Sequence, residues 1–175
     1  MKIVIIGYGG MGGYHAYQLG EFAKAEPGVL ELAGIYDTDK ARCAEAKAKG
    51  LRVYGSPQEI WADKEVGAVL IATPNDVHAE YVYAAAKAGK NIICEKPIAM
   101  STNQAETMYE AAEKAGVLFE VHQNRRWDDD FLTAKNIMEK GEIGDIYKIE
   151  SRVVGANGIP GAWRKEKAHG GGMLL

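Results

Sequence analysis

Cysteine is scarce in this chain: of 175 residues only Cys43 and Cys94 are cysteine, and they form no C-x-x-C pair. That excludes a disulfide framework and the spaced-cysteine metal centres, so both thiols read as packing residues of a reduced, cytoplasmic protein and no metal is expected. Long apolar runs are missing as well. The N-terminal run Ile3–Ile6 is too short for a signal peptide or a membrane span, and no membrane partner is expected. Neither sign of charge is in excess, with 21 Lys and Arg against 24 Asp and Glu and a formal charge of −3. Such a balance offers no field to draw nucleic acid or an acidic membrane. Internal repeats and low-complexity segments are absent too. What the chain does have is 47% apolar residues, enough to bury the core of one domain and begin a second.

Its organising stretch is Lys2–Gly12. Ile3, Val4, Ile5 and Ile6 read as a short buried strand. Gly7, Gly9 and Gly12 then fill a G-x-G-x-x-G pattern that opens an amphipathic helix. In that pattern the first glycine turns the chain off the strand, the second admits a pyrophosphate and the third lets helix pack on strand. The phosphates would rest on the helix N-terminus, whose unpaired N–H groups and dipole favour anions. Gly7, Gly9, Gly10, Met11 and Gly12 are therefore candidate cofactor-binding residues.

Beyond the loop, Met11, His15, Leu19 and Phe22 share one helix face. His15 is either a phosphate contact or, preferably on this spacing, a packing residue. Leu30–Tyr36 is a second strand ending in Asp37, 25 residues past Gly12 and close to the interval for a carboxylate that holds the adenosine ribose. Asp37 also suits the N-cap of a helix over 41–49, and the two roles are compatible. A carboxylate there repels a 2′-phosphate by roughly 1–4 kcal/mol per charge pair. NAD is thus favoured over NADP, with Lys40 and Arg42 partly offsetting the repulsion.

Arg52–Tyr54, Ala68–Ala72, Asn91–Cys94 and Val117–Val121 supply four more strands. Between them lie helices opened by the capping boxes Ser56–Glu59 and Ser101–Gln104, and one carrying Val77, Tyr81, Ala84, Ala85 and Ala88. Six strands alternating with helices predict an α/β fold, a doubly wound parallel Rossmann sheet over residues 1–122. Strand-to-helix turns of such a sheet open on one edge, so the glycine loop, Thr73–Asp76 and Glu95–Pro97 are expected to share a cleft. Past His122, Asp128–Asp130 opens a helix to about Lys140. A half-buried strand follows, with Tyr147, Ile149, Ser151 and Val153 on one face. Residues 123–175 are expected to begin a second α/β domain, whose open strand edge would promote self-association into a homo-oligomer.

Gly7–Gly12, Ala72-Thr73-Pro74-Asn75 with His78, Glu95-Lys96-Pro97, His122–Trp127 and Gly170–Leu175 together resemble the glucose–fructose oxidoreductase/inositol dehydrogenase family, across the whole chain and in the right order. The resemblance implies an NAD(P)-dependent dehydrogenase of two domains acting on a sugar, cyclitol or related polyol. It makes Lys96 the catalytic residue. A hydroxyl losing hydride must also lose a proton, and burial beside the cationic nicotinamide would lower the lysine pKa toward that task. Lys96–Pro97 is expected to be cis. Glu95 is either a ligand contact or a salt-bridge partner holding Lys96. Thr73, Pro74, Asn75 and His78 would line the cofactor pocket, with a helix-capping or solvent role open for His78. Arg126 and Trp127 would lie on the nicotinamide side, or form an interdomain contact. Trp163 and Arg164, with Lys96, would face substrate. In the family, the glycine run leads into a helix bearing an Asp and a catalytic His. The chain is therefore expected to be a truncated member, binding NAD with little or no turnover. The alternatives are a non-catalytic NAD-binding module or redox sensor, and an interaction subunit that adds its open strand to another sheet.

Overall fold

The computed structural model describes residues 1–152 and 165–170. Five strands, β1 (Lys2–Ile6), β2 (Glu31–Tyr36), β3 (Val66–Ile71), β4 (Asn91–Cys94) and β5 (Phe119–Val121), form one parallel sheet in the order β2-β1-β3-β4-β5. The stretch Arg52–Tyr54 contributes less than a full strand: it forms a single parallel bridge, Val53 to Ile35, on the outer side of β2. Two backbone hydrogen bonds join it to β2, Ile35 N–H to Arg52 O and Tyr54 N–H to Ile35 O, both 2.9 Å. Five strands and a bridge thus occupy the positions expected of six. The run from 52 is cut short because Tyr54 turns into the core and Ser56-Pro57 at once starts a helix.

The strands are joined by α1 (Gly10–Ala25), α2 (Lys40–Ala48), α3 (Pro57–Ala62), α4 (His78–Lys87) and α5 (Thr102–Ala115). Alternation along β1 divides the core. Ile3 and Ile5 pack with Ala16 of α1 and Ala46 of α2, whereas Val4 and Ile6 pack with Ile60 of α3, Val82 of α4 and Met108 of α5. Helices therefore cover both faces, as a parallel sheet of nearly continuous apolar strands requires. Both capping boxes form. Ser56 Oγ accepts from Glu59 N–H and Ser101 Oγ from Gln104 N–H. The acidic or amide partner reaches back one residue further than the cap, to Gly55 N–H and Met100 N–H.

Three details differ from expectation. Phe22 is 39% exposed, since α1 runs past the end of the sheet before Pro27. The buried stripe of α4 is Ala79, Val82, Ala85 and Ala86, so Tyr81, Ala84 and Ala88 sit at its margin. Last, α6 (Asp129–Glu139) forms as expected, but residues 145–152 make no strand. Tyr147 is 98% exposed there, on a segment that pairs with no strand among the described residues. No helix among the described residues is long and apolar enough to cross a membrane.

Candidate active site

The chain runs outward from β1 to β2, then returns to β3 and onward to β5, so β1 and β3 flank the point where direction reverses. Ligands of open α/β sheets bind outside the carboxyl ends of the strands at this point. Each loop there is fixed by one hydrogen bond beyond its strand: Gly7 N–H to Tyr36 O (2.8 Å), Ala72 N–H to Ile6 O (2.8 Å), Glu95 N–H to Ile71 O (2.9 Å) and His122 N–H to Cys94 O (2.8 Å). Between the loops lies a cleft of about 710 Å³, within the range of small-molecule sites. Gly7, Gly9, Gly10, Met11, Asp37, Thr73, Pro74, Asn75, Glu95, Lys96 and Pro97 all line it, so stretches ninety residues apart in sequence do meet.

The glycine loop is sterically determined. Gly7 has φ +94°, and a Cβ there would lie 2.7 Å from Ala72 O. A Cβ on Gly12 would collide with the Gly7 carbonyl oxygen and come within 2.9 Å of its carbon, which is why this turn of α1 can lie against β1. Gly12 is therefore buried behind the cleft, setting the helix in place. At the mouth of α1, Gly9 is the N-cap and offers no side-chain acceptor, so the amides of Gly10, Met11 and Gly12 point forward without an intrahelical partner.

Asp37 is not the N-cap of α2. Asp39 is, accepting from Ala41 N–H at 2.8 Å. Asp37 instead holds the adjacent loops: Tyr8 N–H donates to its Oδ2 at 2.6 Å and Asp39 N–H to its Oδ1 at 2.8 Å. Its side chain is only 5% exposed, and it still borders the cleft. Arg42 stands over the same corner, 3.5 Å from Asp37 Oδ2, 3.6 Å from Asp39 Oδ2 and 3.2 Å from where a Gly9 Cβ would be. Lys40 does not reach the cleft.

His78 neither lines the cleft nor faces solvent. It is fully buried behind it, between two cleft loops, with Nδ1 3.0 Å from Pro97 O and Nε2 3.1 Å from Thr73 O; a neutral ring donates its single N–H to one of these carbonyls. Burial lowers its pKa, against the opposing effect of those carbonyls. His15 is also buried, and its Nε2 lies 2.7 Å from Glu95 Oε1, a pairing that neither of its expected roles named. His122 Nδ1 reaches the same oxygen at 2.9 Å. Glu95 therefore pairs with two histidines and not with the Lys96 ammonium; to Lys96 it offers Oε2 as acceptor for the backbone N–H, at 3.2 Å. Burial pushes the Glu95 carboxyl up, but the hydrogen bond from His15 and the charges of His122 and His15 outweigh it, so its pKa falls below the ordinary value.

Lys96 lines the cleft on a cis Lys96–Pro97 peptide, as expected, but is exposed, so the described residues do not supply the burial asked of it. Arg126 and Trp127 are not brought to the cleft. They sit on a 3-10 turn, Asn124–Trp127, with Trp127 77% exposed. Trp163 and Arg164 lie outside the described residues.

Sequence reasoning missed one wall of the site. Residues 165–170 fold back on the Thr73–Asp76 loop: Asn75 Nδ2 donates to Gly170 O at 2.9 Å, and His169 Nδ1 lies 2.8 Å from Asp76 Oδ2. His169 and Gly170 thereby line the cleft. No local pattern announces such a contact across more than ninety residues. The hydrogen bond and the charge of Asp76 raise the His169 pKa above its usual 6.5. A histidine raised in the folded state lends stability that is fully present below the unfolded pKa of about 6.5 and lost as pH rises through the folded value. The ring resonances of His169 are therefore expected to titrate with a midpoint above 6.5, and Asp76→Asn to lower that midpoint. Amide exchange at 167–170, corrected for base catalysis, should quicken once pH passes it.

The family model for the Gfo/Idh/MocA oxidoreductases, described as an NAD-binding Rossmann fold, matches residues 1–123. The chain belongs to this family. It is 46% identical to the crystal structure of an NAD-binding protein from Listeria innocua, with a TM-score of 0.92, covering 99% of this chain and 50% of that one. It is 36% identical over 154 residues to myo-inositol 2-dehydrogenase of Thermotoga maritima, covering 87% of this chain and 45% of the relative. To scyllo-inositol 2-dehydrogenase (NADP+) of Bacillus subtilis it is 31% identical over 179 residues, covering 99% and 48%. The chain spans about half the length of the curated relatives it matches.

A nicotinamide dinucleotide fits the residues present. Open α1 amides await a diphosphate, Asp37 lies where a ribose diol would be held, and Thr73 Oγ1 is buried without a hydrogen-bond partner among the described residues.

Proposed function

We propose that this chain is the dinucleotide-binding part of an oxidoreductase that moves hydride between NAD and a sugar, cyclitol or related polyol. One observation carries the reading: the glycine loop, Thr73–Asp76 and Glu95–Pro97 border a single cleft at the switch point of the sheet. Residues 1–122 form the cofactor half, and 123–175 begin a domain for substrate and oligomer contacts. The inositol dehydrogenases among its relatives support a polyol as the substrate class.

NAD, when bound, supplies the hydride acceptor. The α1 amides would hold its diphosphate, Asp37 would accept from the adenosine ribose, and Thr73 Oγ1, without a partner among the described residues, would be free to bond it. Lys96, once a bound cationic nicotinamide ring favours its neutral amine, would take the proton that a polyol hydroxyl releases as its carbon is oxidised. A second reading, an NAD-binding module without turnover, is favoured by the exposure of Lys96.

Calorimetric titration tests the cofactor assignment. NAD is expected to bind with one-to-one stoichiometry and about tenfold or more ahead of NADP, since the Asp37 carboxylate opposes a 2′-phosphate. No binding of either would end the proposal, and a preference for NADP would assign the corner to Arg42 instead of Asp37. Polyol oxidation by this chain, compared with a form extended to the family's full length, separates the dehydrogenase from the silent module. Activity that appears on extension supports the former, and none supports the latter.

A further inference from the structure

We propose that His15, Glu95 and His122 form a brace that positions Lys96 by holding its backbone, and that it does so from the helix that cradles the cofactor diphosphate. The three residues come from three elements. His15 lies on α1, one turn beyond Gly12; Glu95 directly follows β4; His122 directly follows β5. Their polar atoms lie within 4.8 Å of one another, and the two imidazole rings meet edge to face with centroids 4.7 Å apart.

A carboxylate only accepts hydrogen bonds, so each ring must present an N–H to Glu95 Oε1, Nε2–H from His15 and Nδ1–H from His122. With that oxygen engaged twice, the carboxylate has little freedom to rotate. Its Oε2 is left facing the Lys96 N–H. One residue on, Pro97 O lies 3.0 Å from Nδ1 of the buried His78 ring, which donates to it as the Nδ1–H tautomer. Lys96 is thus an exposed side chain on a backbone fastened on both sides, which is what a group that must meet a substrate hydroxyl at a set distance requires. Glu95 and the two histidines act through Lys96 as positioning residues, and this role rests on the proposed function of Lys96.

The brace also links the two ends of the cleft. Displacement of α1 moves His15, and through Glu95 it moves the amide of Lys96. No such link was visible in sequence, where Glu95 is a neighbour of Lys96 and the histidines lie 80 and 27 positions from Glu95.

Amide exchange in the unliganded chain tests the brace independently of cofactor or turnover. In the native chain the Lys96 N–H is expected to be protected. Glu95→Ala should quicken its exchange about 10- to 100-fold, the range for a hydrogen bond to a charged acceptor, with Val4 and Leu70 amides unchanged. Glu95→Gln, whose one carbonyl oxygen cannot serve both the ring N–H groups and the Lys96 N–H, should also quicken exchange, by less than Glu95→Ala. His122→Ala, at the more exposed end of the trio, should quicken exchange by a smaller factor, and it keeps the test open if Glu95→Ala does not fold. Long-range proton–nitrogen spectra should show hydrogen on His15 Nε2 and His122 Nδ1. Unchanged Lys96 exchange in folded variants would overturn the brace, and so would acceleration spread evenly over the sheet. Stoichiometric Co²⁺ binding lost on His15→Ala and His122→Ala would overturn it too, making the trio a metal site. Failure of NAD to bind would remove the cofactor reading and leave these measurements standing.

Discussion

Lys96→Ala, made in a form extended to the family's length, is expected to reduce polyol oxidation by about 10²–10⁴-fold, the usual weight of a positioned acid–base group. NAD affinity measured by calorimetry should stay within about threefold, because the residues proposed to hold the diphosphate and ribose, Gly9–Gly12 and Asp37, belong to other loops. The two numbers together distinguish a proton-handling group from a cofactor ligand. A variant that lost both in equal measure would place Lys96 in binding, and one that lost neither would remove it from the site. The brace sharpens the expectation. Since Glu95 and His78 hold the backbone on either side, deletion of the Lys96 side chain should leave the loop itself in place.

Gly12→Ala is expected to lower NAD affinity by about 100-fold or more while costing about 1–3 kcal/mol of stability. Its methyl would have to occupy the space of the Gly7 carbonyl, which is backbone and cannot swing aside. The helix must then lift from β1, taking the Gly10 and Met11 amides out of register with the diphosphate. Gly13→Ala is the matched control. Nothing lies within 4 Å of a Cβ there, and alanine in a helix is favoured over glycine by up to about 1 kcal/mol. Thermal denaturation and calorimetry on the pair should show loss of binding at position 12 and no loss at 13.

The frame of the molecule was legible because it depends on local pattern. Apolar strands, glycine punctuation and the Ser56 and Ser101 caps each act over a few residues; five of the six sheet strands and both caps formed, and Arg52–Tyr54 kept a single bridge. Asp37 was also legible as a cleft carboxylate, but its capping role went to Asp39, two residues later, because the Tyr8 and Asp39 amides claim the Asp37 oxygens first. What could not be read is what depends on distant partners. His15 looks the same in sequence whether it meets phosphate or Glu95, and His78 the same whether it caps a helix or joins two loops. Arg126 and Trp127 carried a family motif, yet the 3-10 turn after β5 leaves them away from the cleft. The alternation at 147–153 signals a strand, but alternation only marks which face would be buried. A ladder needs pairing, and residues 147–152 pair with no strand among the described residues, while Val153 lies outside them.

The central claim is that diphosphate and reacting lysine belong to one cleft. It is tested most directly by following backbone amide resonances during an NAD titration. The Gly9, Gly10 and Met11 amides are predicted to move together with that of Lys96, with a common midpoint, while α6 amides stay still. Movement of the glycine loop with Lys96 unperturbed, or the reverse, would contradict the account.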